Sequence, residues 1–244
     1  MLQKSVLINL SIGYGDFSKA MGAVLLSWIV SIICIVFSNP AGPLLILVGA
    51  LAGLVYCIRG MNKIFNTSLF SETGAFYMVL PLSNREMALG KILAAAFFNF
   101  GCTMVFFLMS VLAVLLCGID SAQVADMLFS DYLSTELPPD AIALLIGLFP
   151  LKSLLQELSF CAFALAVLLA FNLLKPNRRN GIIWLVIFAA DWVISKGLSL
   201  LTNRLMQSGF NRFVLEGLVD FFYVSIFLLL FAYCVKALRT KYNI

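Results

Sequence analysis

The sequence predicts an all-α integral membrane protein with six transmembrane helices. Three observations carry that prediction. Of 244 residues, 62% are hydrophobic and only 11% charged, where a soluble domain carries about 25% charged residues. The mean hydropathy is +1.04. The apolar residues also fall in long runs, and about 20 of them in helical conformation cross a hydrocarbon core of ~30 Å. Open strands leave backbone groups unsatisfied in lipid, and no ten-residue alternation of a barrel is present, so the spans are helices.

The first element expected is an amphipathic helix over 2–17, where Asn9, Ser11 and Asp16 interrupt apolar residues; it is read as lying in the cytoplasmic interface. A charged n-region and a small-residue cleavage site are both missing, so this segment does not read as a signal peptide. Six spans follow at about 20–38, 42–58, 94–117, 150–171, 181–201 and 217–235, within a single transmembrane domain over 1–244. Residues 141–149 are apolar too. With Pro150 after them, they either extend the fourth span outward or lie at the outer surface. In the second span Gly49 and Gly53 permit a close helix approach, within one subunit or between two. Residues 202–216 carry Leu205, Met206, Phe210 and Phe213 and predict a small helix in the outer leaflet.

Lysine and arginine set the orientation. With both termini cytoplasmic, twelve of the sixteen fall in inner segments, only Arg204 and Arg212 outside, and Lys152 and Lys196 within spans. That asymmetry is a strong positive-inside bias. The acidic stretch 118–140, without a basic residue, faces outward. The inner loop 175–179, with Lys175, Arg178 and Arg179, has anionic headgroups as expected neighbours.

Chemistry-bearing residues are few. Histidine is absent, which removes the commonest general base and metal ligand. The six cysteines sit in or beside apolar runs without a CxxC pair and read as small hydrophobic residues. No metal site and no nucleic-acid partner is expected, and without histidine, a serine-protease motif or clustered metal carboxylates an intramembrane enzyme is the least favoured reading. A charge near mid-bilayer costs at least ~2.5 kcal/mol, so Lys152, Glu157, Asp191 and Lys196 stand out. At ~1.5 Å per residue, Lys196 lies about 22 Å from the inner end of its span and Glu157 about 10 Å from the outer end of its own. Equal depth predicts a Glu157–Lys196 ion pair, serving either to lock two helices or to line a pathway, with Asp191 nearer the midplane.

The segment 62–91 leaves the membrane between the second and third spans. Phe65, Leu69, Phe76, Val79 and Leu80 give it apolar anchors, and Pro81 ends that element. Ser83 with Glu86 then forms a capping box, flanked by Leu82 and Met87 in staple positions. The third helix is therefore expected to start near Asn84 and to bring Lys91 close to the headgroups.

The order Leu69-Phe70-x-Glu72-x-Gly74, Leu80-Pro81-Leu82-Ser83 and Leu89-Gly90-Lys91 resembles the coupling segment of ABC-2 type transporter permeases, approximately LFxxEGYxxxTLPxSxxxLxxGK. The match departs where Thr73 separates Glu72 from Gly74 and where Ala75 replaces an aromatic. The resemblance implies a permease subunit of a bacterial cytoplasmic-membrane exporter, similar to those that move antimicrobial or toxic peptides. It implies a cytoplasmic ABC ATPase dimer as partner, docked through Leu69, Phe70, Glu72, Gly74, Phe76 and Tyr77, and a second permease copy. Gly90-Lys91 is no phosphate loop, because the upstream glycine and the following Ser or Thr are missing. ATP and magnesium are thus expected on the partner, and no cofactor on this chain. The other reading is an ion-coupled secondary transporter carrying its ion on Asp191 or Glu157.

Overall fold

A computed structural model of the chain describes residues 2–37, 42–67, 82–116, 139–174 and 180–242. These residues form six long helices: α1 Leu2–Val36, α2 Gly42–Asn62, α3 Asn84–Leu116, α4 Pro139–Leu174, α5 Asn180–Gln207 and α6 Arg212–Tyr242. A π-helical turn, Lys63–Thr67, continues α2. Among the described residues there is no strand, and six helices are long and apolar enough to cross a membrane. Leucine, isoleucine and phenylalanine along them stay exposed, from Leu26 on α1 to Leu229 on α6. That surface has lipid as its natural solvent.

The helix boundaries follow from local chemistry. At the start of α3 the Ser83 N–H donates to Glu86 Oε2 at 3.0 Å, and the Glu86 N–H donates to Ser83 Oγ at 3.3 Å. This reciprocal exchange satisfies two donors that a helix start leaves open. α5 ends in a Schellman turn: the Phe210 N–H reaches Leu205 O at 3.2 Å and the Gly209 N–H reaches Met206 O at 3.0 Å. Gly209 sits at φ +85°, where a side chain would be strained. α6 begins at once, so the outer-leaflet helix expected over 202–216 is not a separate element; its residues complete α5, turn and open α6.

One further expectation changes, and one open alternative closes. The interfacial helix over 2–17 is the first half of one unbroken α1 of 35 residues. No proline interrupts the run, and Ser11 and Ser18 turn their hydroxyls onto the Ile8 and Gly15 carbonyls at 2.7 and 3.2 Å. Of the three polar residues that suggested an interfacial face, Asn9 is fully buried and Asp16 5% exposed, while Ser11 stays exposed. Residues 141–149 belong to α4, which runs through Pro150 for 36 residues.

The chain divides into two compact units. The first comprises Met1–Ile12, Met61–Phe97 and Leu154–Ile244, and α4 is its central helix. Cys161, Ala162, Ala164, Leu165, Leu168 and Leu169 are all fully buried there, and small residues among them let neighbours approach closely. α6 is fastened to α4 by Ser159 Oγ donating to Tyr223 O at 3.0 Å and Cys234 Sγ to Ala162 O at 3.8 Å.

The second unit comprises Gly13–Gly60 and Phe98–Ser153. Here α1 and α2 pack through glycines. A Cβ on Gly49 would collide with the Ser27 side chain, one on Gly53 would lie 2.7 Å from Val24 Cγ2, and one on Gly60 2.7 Å from Phe17 Cε2. The Gly49–Gly53 pair therefore packs within the chain. Aromatic contacts extend the core: Phe17 stacks on Phe98 at 4.2 Å, and Trp28 meets Phe106 edge-on at 5.6 Å.

Candidate functional site

The first unit holds a buried polar tie where α2 leaves its helical path and α3 starts. Lys91, one turn beyond the capped first turns of α3, is fully buried. Its ammonium donates to Ile64 O in the π-helical turn at 2.8 Å and lies 3.4 Å from Asn9 Oδ1 on α1. Asn9 in turn donates from Nδ2 to Ser5 O at 2.8 Å, which fixes its amide so that the oxygen faces the lysine. Lys91 therefore faces the protein interior, whatever its depth along α3. The physical reason is α1, whose unbroken start covers the residue and supplies an acceptor to it.

Gly90 makes that cover possible. A Cβ there would run into Ser5 Oγ and lie 2.8 Å from Ser5 Cβ and 3.2 Å from its backbone carbonyl carbon. Ser5 Oγ completes the contact by donating to Glu86 O at 3.1 Å. The Glu86 carboxylate itself is held by Ser83, whose N–H and hydroxyl both reach Oε2, and these bonds keep its carboxyl below the usual range. On its other side the exit of α2 is held by Trp184 of α5, whose Nε1 donates to Asn62 Oδ1 at 3.2 Å. Met61, Ile64 and Phe65 pack the turn with at most 1% exposure. Gly90-Lys91, which reads in sequence only as part of a motif, therefore has a structural role. Its first residue permits close approach and its second clamps by donating a buried amine to two other segments.

A π-helical turn is rare and shifts carbonyls out of the ordinary i→i−4 ladder. Here the shifted carbonyl of Ile64 meets a cation. A buried ammonium held by oxygen acceptors ties three chain segments to one point, because removing any acceptor leaves a charge in a dry site. Such an arrangement can fix the direction in which the chain leaves α2 and returns into α3. The six residues expected to dock an ATPase, Leu69, Phe70, Glu72, Gly74, Phe76 and Tyr77, lie outside the described residues.

The intramembrane charges are arranged differently from the expectation. Among the described residues no ion pair joins Glu157 to Lys196. Glu157 is half-buried on α4, whereas Lys196 lies in the exposed run 192–197 of α5. Depth along two antiparallel helices was equal, but the rotation of α5 turns Lys196 away. Lys152 is half-buried in the second unit. Asp191 keeps different company: the buried Cys161 thiol feels both the Glu157 and the Asp191 carboxylates. The Tyr223 hydroxyl bonds the Ser195 side chain and feels Asp191 and Asp220. Asp191 on α5 thus acts on groups of both α4 and α6, sharing Cys161 with Glu157 and Tyr223 with Asp220, although no three candidate ligands among the described residues could hold a metal ion. Sequence reasoning missed Asp220, Ser195 and Tyr223. Asp220 carried a usable signal, an acid three residues into an apolar stretch; Ser195 and Tyr223 carried none. Comparison of the chain with protein families, with curated proteins and with solved structures finds no match.

Proposed function

We propose that this chain is the membrane-spanning permease subunit of an ATP-driven exporter in a bacterial cytoplasmic membrane, with both termini on the cytoplasmic side. A separate ABC ATPase dimer hydrolyses magnesium–ATP and docks on the segment 69–77; two permease copies form the pathway. The phenylalanine-rich spans, from 22 phenylalanines in all, suit an amphipathic or hydrophobic substrate such as an antimicrobial or toxic peptide. One observation carries the reading. The residues resembling a coupling segment stand between the second and third long helices, and both flanks of that segment converge on Lys91: Ile64 before it and the capped α3 after it. A segment that receives force from a soluble motor needs flanks that do not yield, and the tie supplies them.

The test is co-purification of the chain with an ATPase encoded beside it, in wild type and in a Glu72→Ala, Phe76→Ala variant. Loss of the ATPase from the variant is expected. Retention of both association and ATP-dependent transport would overturn the assignment.

A second reading rests on the neighbourhood of Glu157, Asp191 and Asp220: an ion-coupled carrier. It leaves the 69–91 motif without a purpose. Transport abolished by a protonophore at constant ATP, and lost in Asp191→Asn, would favour it over the exporter.

A further inference from the structure

The second unit contains a pair of thiols that nothing in the transport reading uses. Cys57 on α2 and Cys102 on α3 face each other with their sulfurs 3.7 Å apart. Both are half-buried and unoxidised, whereas Cys161 and Cys234 are buried, and Cys234 is engaged with a backbone carbonyl. We infer that Cys57 and Cys102 form a redox-sensitive dithiol that closes to a disulfide when an apolar hydroperoxide reaches it through the lipid.

Geometry favours closure over reaction with any other partner. A disulfide needs its sulfurs about 2.05 Å apart, so from 3.7 Å the pair must close by about 1.7 Å, within the swing of a cysteine χ1 rotation. Proximity of this order makes the second thiol the dominant trap for any oxidised first one. The chemistry is balanced by the hydroperoxide alone. One sulfur takes the terminal OH of ROOH, giving a sulfenic acid and the alcohol ROH. The second sulfur then attacks the sulfenic sulfur; the S–S bond forms and the S–O bond breaks. The hydroxyl leaves as water with the second thiol's proton. Two thiols are oxidised by two electrons, and one peroxide O–O bond is reduced. Partial exposure on a lipid-facing helix pair admits an apolar oxidant, while the close partner keeps the first sulfur from advancing to the irreversible sulfinic acid. The link would join α2 to α3, the helices on either side of residues 68–81.

The test uses the full chain in native membranes with cumene hydroperoxide, followed by denaturation and labelling of free thiols with a maleimide mass tag. Wild type is expected to take six tags when reduced, four after hydroperoxide, and six again after dithiothreitol. Cys57→Ser and Cys102→Ser should each take five before and five after mild treatment, and digestion of oxidised wild type should yield the Cys57–Cys102 linked peptide. Six tags persisting in treated wild type would overturn the inference. So would a loss of two tags that survives in either single variant, or one that dithiothreitol does not reverse. Wild type carries the decisive measurement, so a poorly folding variant does not blunt it.

Discussion

The start of α1 and its later half are joined to their neighbours by opposite means. Residues 2–12 hold α3 and the exit of α2 through buried polar groups: Ser5, Asn9, Lys91 and the Ile64 carbonyl. From Gly13 onward the same helix meets α2 mainly through glycines and α3 through aromatic rings, with Ser27, Val24 and Phe17 filling the space above Gly49, Gly53 and Gly60; one buried hydrogen bond, Ser31 Oγ to Gly42 O at 2.6 Å, joins them near the start of α2. Between helices in lipid, apolar surface gives no hydrophobic drive, so contact has to come from close packing or from hydrogen bonds. Close packing is graded: a misfit of one methyl is tolerated in part by small shifts. A buried amine is closer to all-or-none, since it is either satisfied or left without acceptors in a dry site. The polar region is therefore suited to fixing one geometry, and the glycine region to allowing small sliding.

The sharpest way to break that contrast is to remove the ammonium. Lys91→Ala loses charged hydrogen bonds and leaves a cavity, and an overall loss of about 3–5 kcal/mol is expected. Lys91→Met refills the volume without the charge and should recover part of that loss. Unfolding of the detergent-solubilised chain followed by tryptophan fluorescence would measure both. If alanine and methionine variants were equally destabilised by under 1 kcal/mol, the tie would be no clamp.

Gly90 and Gly53 test packing in the two regions directly. Gly90→Ala meets Ser5 Oγ and Cβ and, at 3.2 Å, its backbone, which cannot rotate away, whereas Gly53→Ala crowds only a Val24 methyl and touches the Ala20 carbonyl at an ordinary 3.7 Å. Overpacking costs about 1–3 kcal/mol. The upper end is expected for Gly90, the lower end for Gly53, and by the same melts Gly101→Ala, which meets nothing within 4 Å, should be neutral or stabilising by up to about 1 kcal/mol. A Gly53 variant as damaging as the Gly90 variant would erase the difference between the regions.

At the edge of the polar region, Ser83→Ala removes half of the capping box and should cost about 1 kcal/mol. Glu86→Gln keeps the acceptor for Ser83 while removing its charge, and should cost less. Helix content near the melting midpoint, read by circular dichroism, would order the two.

Sequence made much of the fold legible because lipid imposes simple rules. The long apolar stretches become helices, and the Ser83–Glu86 spacing is enough to locate the start of α3, since both groups act within one turn. What sequence could not supply is rotation about a helix axis. Asn9 and Asp16 look like an interfacial face until packing against other parts of the chain is seen to bury them. Lys91 looks like a headgroup ligand for the same reason. Hydropathy gives depth to within a turn, but a step of about two residues along a helix reverses the face, and only packing against α3, α4 or α5 decides it. The turn at Gly209 was hidden more simply: apolar residues on both sides of it suggested a helix of their own.

That gap between depth and direction also sets the smallest effect. Glu157 and Lys196 share a depth but not a face, so Lys196→Gln should change stability by no more than about 0.5 kcal/mol. Exchange of the two charges, Glu157→Lys with Lys196→Glu, should be no better tolerated than Glu157→Lys alone, because the new lysine on α4 falls beside Cys161 and gains nothing from α5's exposed face. Asp191 is the more informative partner. Its carboxylate acts on the same Cys161 thiol as Glu157 does, so Glu157→Lys should lose part of its damage by attraction to Asp191, and Asp191→Asn should remove that relief. A double-mutant cycle of Glu157→Lys with Asp191→Asn, read by the same unfolding measurement, would give a coupling of about 0.5–3 kcal/mol if the two are neighbours. A full rescue by Lys196→Glu instead would return the ion pair to the description of these helices.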